Sequence, residues 1–360
     1  MGLAGKLSTC LVSGLCLVAG MASPASGPDP LACLKQFSDF SRIDVKSLAE
    51  GEILSQRGPL MNAPHGIWSQ FCFFVPDSPE EIAGRLQTWN PSRHETLKVH
   101  AFHDLETGCG PDGFRGLHLD PAQRPMKRLL DKSLATTAGN SDLNLSRNEA
   151  QELAGCIKKS AEPGAVSSCW ARLLAGRAGA FQRHGLFGVP AYEVGEEPFS
   201  PAAQLPPMLL EQARIAREFA PILQRAGIVK GVGNGSPLVP RLYWSLFEAN
   251  HHATLNLGAV YLLAVNDHYQ LLSLEYYVSG TYYAAATLYE IWPIRAGGTT
   301  GSLVWRGDFY AAPALRMTKG IERIAYGAIM VQEIKKEIGC LLKDLKTRPA
   351  VSRPSSARLP

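Results

Sequence analysis

Between residues 254 and 310, apolar and polar positions fall into four extended runs, at about 254–265, 268–278, 282–294 and 302–310. Asn266-Asp267, Ser279-Gly280 and Gly297-Gly298 separate the runs. Connections this short require antiparallel neighbours, so the pattern predicts a four-stranded meander. These strands are poor in charge: no Lys or Arg occurs between Arg241 and Arg295, and only Glu248, Asp267, Glu275 and Glu290 are acidic. An antiparallel sheet with one wet face shows polar residues at alternate positions. Here it does not, so each face needs a cover. One cover is legible from Gly320 onward, where Ile321, Ile324, Ala328, Val331, Ile334, Ile338, Leu341 and Leu345 recur at helical spacing. About 25 helical residues reach ~37 Å, as far as a strand of about 11 residues, so this helix can lie across the whole sheet.

The amino-terminal half supplies further elements. A short helical pattern surrounds Leu34 and Phe37 within 30–50, and 51–58 and 66–75 look extended. Ser78, Pro79 and Glu81 form a capping box that opens a helix, with Ile82, Leu86 and Trp89 on one stripe and Asn90-Pro91 as the stop. Another extended run covers 97–105. From about 108 to 240 the texture changes to helical segments punctuated by Pro and Gly. Ser146 and Glu149 open a helix to about Lys159, and 166–184 and 207–226 are further helices. The glycines of 231–236 resemble a dinucleotide loop, but Ser236 stands where the last glycine belongs and Pro237 follows. The segment is therefore read as a connector.

Composition narrows the class. The 360 residues, 46% hydrophobic and with a formal charge of +4, describe a globular chain with little electrostatic basis for nucleic-acid binding. Lys6, an uncharged stretch over 7–22 and the small residues of 22–27 read as a secretory signal over 1–26, with an uncleaved anchor as the alternative. The mature chain is thus expected to be periplasmic or secreted. It would keep six cysteines, as up to three disulfides or as buried thiols. Cys156 and Cys169 flank the Pro163-Gly164 turn and are the best pair. The tail 347–360, rich in Pro, Ser and Arg, is expected to be disordered.

Two strands, the capped helix that begins Ser78-Pro79-Glu80-Glu81, a meander and a final amphipathic helix together resemble the START-like (helix-grip) superfamily. The phrase from Val75 to Ile82 looks like that group's strand-to-helix junction. The resemblance covers 51–105 and 241–346. It implies an α+β fold in which an antiparallel sheet wraps a long C-terminal helix, with 27–107 and 241–346 as one domain and 108–240 as a helical insertion. It also implies an apolar ligand held between sheet and helix. Some members carry lipids and others are cyclases or hydrolases, but no catalytic motif of the group matches here.

Candidate site residues follow from the sheet. Eight of the eleven tyrosines lie within 261–310. Tyr277 and Tyr283 should alternate against Tyr276 and Tyr282, offering apolar walls with hydroxyls. Arg306 and Asp308 share a strand face, and a guanidinium there needs Asp308, Glu275 or a ligand carboxylate or phosphate as partner. It serves either as a ligand anchor or as a structural ion pair. The candidate ligand-binding set is Tyr277, Tyr283, Glu275, Arg306 and Asp308. No cofactor or metal is expected, because His94, His100, His103 and His118 lack a converging spacing. Three readings stand: a binder of a lipid-like or other apolar molecule, an enzyme using the same pocket, or an envelope protein whose second sheet face docks on a partner.

Overall fold

The computed structural model describes residues 29–105, 108–137, 141–193, 198–231, 235–318 and 321–347. The expected signal over 1–26, the middle of the 231–236 connector, Gly320 and the tail from 348 onward lie outside the described residues. In chain order the elements are α1 (Pro30–Phe37), α2 (Val45–Ala49), β1 (Leu54–Arg57), β2 (Gly66–Val75), α3 (Pro79–Thr88) and β3 (Val99–Asp104). The helices α4 (Arg124–Ala135), α5 (Arg147–Ile157), α6 (Pro163–His184), α7 (Pro201–Glu211), α8 (Ala213–Glu218) and α9 (Ala220–Arg225) follow. The chain then returns to the sheet with β4 (Arg241–Ala249), β5 (His252–Val265), β6 (His268–Val278), β7 (Ala284–Ala296) and β8 (Thr299–Ala311), and ends in α10 (Pro313–Met317) and α11 (Ile321–Thr347).

All eight strands form one antiparallel sheet in the order β1-β2-β8-β7-β6-β5-β4-β3. The meander has five strands where the pattern predicts four. Its first strand, β4, turns into β5 through Asn250 and His251, both with positive φ, so a tight turn forms there without glycine. The result is an α+β fold in which the sheet grips a long C-terminal helix.

Each sheet face has its own cover. On one, Phe71, Phe73, Val304, Ile291 and Leu271 pack with Ile82 and Ala83 of α3 and with Ile334, Ile338, Leu341 and Leu345 of α11. Both capping boxes are present, at Ser78/Glu81 and Ser146/Glu149. Trp89 donates to Asp344 at 2.9 Å and Arg85 to the Leu345 carbonyl at 3.1 Å, tying the C-terminal end of α11 to α3 and the turn after it. The N-terminal half of α11 departs from the expected stripe. Ile324 and Ala328 are exposed, while Tyr326, Gly327 and Met330 turn inward. Gly327 is the reason this half can approach: a Cβ there would come within 2.5 Å of the Arg57 side chain.

The opposite face carries Trp68, Leu257, Leu272, Trp292, Trp305 and Phe309, in one continuous cluster with α1 and the helices of 108–240. Phe37 meets Trp305 edge-on at 5.0 Å, and Phe181 stacks on Tyr276 at 3.9 Å. The face on which an envelope partner would dock is thus filled by the chain's own helices. The Cys156–Cys169 disulfide joins α5 to α6, while Cys33, Cys72, Cys109 and Cys340 are thiols. Among the described residues no helix is long and apolar enough to cross a membrane. The single helix expected over 207–226 is instead α7, α8 and α9. Gln212 leaves helical geometry, and Pro221 has no N–H to continue the ladder past Phe219.

Candidate functional site

Between the sheet, α3 and α11 lies a cavity of about 630 Å³, within the range of small-molecule sites. It is bounded by α11, which packs on β1 and β2, by the end of α3, which packs on β5 to β8 and most on β6, and by the sheet between β3 and β8. Its walls are apolar and aromatic: Leu86, Trp89, Phe102, Val260, Leu271 and Met330, with Tyr243, Tyr289 and Tyr310. Phe102 stacks on Tyr243 at 4.9 Å across the β3–β4 pair. Cross-strand register explains the ring's position. Tyr243, Gly258 and Glu275 form one row, and a Cβ on Gly258 would lie 2.0 Å from the Tyr243 ring, so glycine lets the ring lie across β5 toward Glu275.

Glu275 is the centre of the polar floor. Asn256 donates to one carboxylate oxygen at 2.6 Å and the Tyr282 hydroxyl to the other at 2.5 Å. Tyr282 is held from outside the sheet: the Asn144 side chain donates to the carbonyls of Val278 and Tyr282, both at 2.8 Å, and Thr281 takes a left-handed conformation. Burial pushes the Glu275 carboxyl up to about 7, with Glu337 and Asp308 adding to the rise and the hydrogen bonds from Tyr282 and Asn256 opposing it. Beside it Arg306 makes a two-pronged pair with Asp308, both bonds 2.8 Å, and reaches Glu337 of α11 at 2.9 Å. Thr287 also donates to Asp308 at 2.8 Å. Burial works against the Arg306 charge, but Asp308 and then Glu337 outweigh it and hold the guanidinium more firmly protonated than usual.

Of the five candidate residues, the structure brings Glu275, Arg306 and Asp308 together and separates the two tyrosines from them. Glu275 and Arg306 line the cavity, with Asp308 beside Arg306. Tyr277 and Tyr283 lie on the opposite face. The cause is a bulge in β6: Leu257 pairs with Tyr277 but Gly258 with Glu275, which leaves Tyr276 as an extra residue and puts both Tyr276 and Tyr277 on the insertion side. Tyr277 there lies under the Arg177 guanidinium at 4.2 Å, and Tyr283 stacks on Phe199 at 4.1 Å. Neither can line the space between sheet and helix.

Arg306 also differs from the anchor that a ligand carboxylate or phosphate would need. All three guanidinium nitrogens already donate to Asp308 and Glu337, so it joins β8 to α11 as an ion triad. Sequence reasoning missed Asn256, Tyr243, Tyr282, Tyr289 and Glu337 as site residues. Asn256 has a visible signal, a lone amide between Leu255 and Leu257. Glu337 has another, an acid beside Ile334, Ile338 and Leu341 on the inward side of the helix.

A second buried polar group, on the insertion face, joins His268 to Glu290 at 2.9 Å and Gln270 to Glu290 at 3.1 Å. Burial lifts Glu290 to about 7 against the pull of His268. A surface groove of about 720 Å³ runs beside the disulfide, bordered by Arg115, Lys159 and Arg172. Compared with models of known families, with curated proteins and with solved structures, the chain matches none of them.

Proposed function

We propose that this protein is an exported carrier or receptor for an apolar small molecule, held between the sheet and α11 in the manner of START-like proteins. The observation that carries the reading is the cavity itself: about 630 Å³ walled largely by Leu, Val, Phe, Met and Tyr side chains, with a buried polar group around Glu275 and further polar residues such as Lys98, Glu248 and Lys336 elsewhere on its lining. Such a combination buries an apolar body and orients it through few hydrogen bonds. The order of strands, capped helix and terminal helix supports the family reading. The leader-like pattern of 1–26 and the disulfide support export.

Native mass spectrometry after gentle purification tests the reading. A retained apolar molecule is expected, and it should be lost from Val260→Trp, which fills the cavity, while thermal unfolding stays cooperative. Repeated recovery of empty protein that also fails to take up apolar fluorescent probes would overturn it.

One observation favours a second reading, an enzyme in the same cavity. Glu275 and the Tyr282 hydroxyl form a pair able to exchange a proton with a bound molecule. Turnover lost in Glu275→Gln with binding retained would select that reading. Arg306 and Asp308, engaged with each other, contribute to it only through the position of α11.

A further inference from the structure

The polar floor of the cavity is short of donors and of positive charge. The donors that face its carboxylates are largely committed: three of the five Arg306 N–H groups to Asp308 and Glu337, Thr287 to Asp308, and Asn256 and Tyr282 to Glu275. The acceptors are in excess. A carboxylate oxygen can take two hydrogen bonds, and each Glu275 oxygen receives one. The Asn256 Oδ1, buried next to it, receives none among the described residues. Charge follows the same pattern: three carboxylates, Glu275, Asp308 and Glu337, surround the buried cation Arg306, while Lys98 and Lys336, elsewhere on the cavity lining, are exposed and paired with Glu248 and Glu333. No basic side chain pairs with Glu275 among the described residues. Its elevated carboxyl, pushed up by burial without a counter-charge, has the same origin.

Resting on the reading of this space as an apolar ligand site, we infer that its ligand carries a basic nitrogen: an apolar body with an ammonium group seated on Glu275. An ammonium supplies three donors and one positive charge, which are the two things the floor lacks. The surrounding Tyr243, Tyr282, Tyr289 and Tyr310 rings suit a cation, whose charge is attracted to ring faces. Arg306 already shows the preference, with its guanidinium 5.4 Å from the Tyr289 ring centre. A carboxylate or phosphate seated on Glu275 would meet a carboxyl that no cation is paired with, so fatty acids and phospholipid headgroups should be the weaker partners of this floor.

The test compares decylammonium, decanol and decanoate, three probes of equal chain length, by calorimetric titration of the full chain. Decylammonium is expected to bind about tenfold more tightly than decanol, and decanoate more weakly than both, as one charge-assisted contact implies. In Glu275→Gln the ratio of decylammonium to decanol affinity should collapse toward one. Glu337→Gln, at the partly exposed edge of the floor, should reduce the ratio by a smaller factor and serves as the second variant if the first unfolds. Equal binding of all three probes, tighter binding of decanoate, or a ratio untouched by Glu275→Gln in a folded protein overturns the inference while leaving the apolar cavity reading intact. If none of the three binds, both fall together.

Discussion

On its insertion side the sheet meets a filled core, and on its grip side the same strands border open space. Both faces carry a buried arginine within an aromatic setting. On the insertion side Arg177, 1% exposed, is neutralised by Glu149 at 2.5 Å and lies over Tyr277, with its remaining contact to the Pro190 carbonyl. The group is balanced in charge: one acid and one base, between the rings of Tyr192 and Tyr277. On the grip side Arg306 has two acids, and a third, Glu275, stands beside them without a base. A buried ionic group that balances itself fixes one packing of the helices. One left unbalanced beside a cavity is what the proposed ligand would complete.

The largest separation between the faces should appear on truncation. Trp305→Ala removes a ring packed on Phe37 and Phe219 and should cost about 4 kcal/mol of unfolding free energy, whereas Met330→Ala, half-buried at the cavity wall, should cost about 1 kcal/mol. Denaturant titration checks both, and equal costs would mean that the grip side is as tightly packed as the other. Next in size, Arg177→Met should lose about 3 kcal/mol, because it strips Glu149 of its buried partner. Replacing Cys156 and Cys169 by serine opens a loop whose ends are 13 residues apart and should lower stability by about 2 kcal/mol, with no change in probe binding, since the bridge lies on the insertion side.

A last effect, no larger than that of the disulfide, depends on pH. The Glu275 carboxyl titrates at about 7 in the folded chain, against about 4.5 when unfolded. Its stabilising contribution is therefore complete below about 4.5 and is lost as pH rises through 7. Relative to the parent, Glu275→Gln should gain up to about 2 kcal/mol between pH 5 and pH 8, less than the full shift implies because the carboxyl borders the cavity. Glu290 titrates in the same range on the other face, so the difference between variant and parent is the informative quantity. A difference that stays flat from pH 5 to pH 8 would show Glu275 to be paired with a cation after all.

Features set by neighbouring residues were legible in the sequence. Both capping boxes, the Asn266-Asp267 and Gly297-Gly298 turns, the terminal helix and the Cys156–Cys169 pair depend on local spacing, and all are present. What depends on distant parts of the chain was not legible. The bulge at Tyr276 is an extra residue facing β5, and it moves Tyr277 away from the cavity while alternation alone would keep Tyr276 and Tyr277 on opposite faces. The engagement of the third Arg306 nitrogen needs Glu337, 31 residues further on and in another element. The inward side of α11 at its start is chosen by the close approach of Gly327 to Arg57, not by the most apolar positions, so Ile324 and Ala328 face outward. Tyr282 reaches Glu275 because Asn144, from the helical insertion, holds the turn that carries it.

The placement of β2 between β1 and β8 also bears on how the molecule is made. Its inner partner is the last strand, and Gln70 and Trp305, hydrogen-bonded across that pair, are 235 positions apart. Phe71 and Phe73 therefore remain without their neighbours until nearly the whole polypeptide has been synthesised. Assembly dominated by such remote pairing is slow. A chain that stopped before Thr299 would leave β2 with an open edge, and an open apolar edge recruits other chains. Synthesis through β8 is thus a condition for covering that edge.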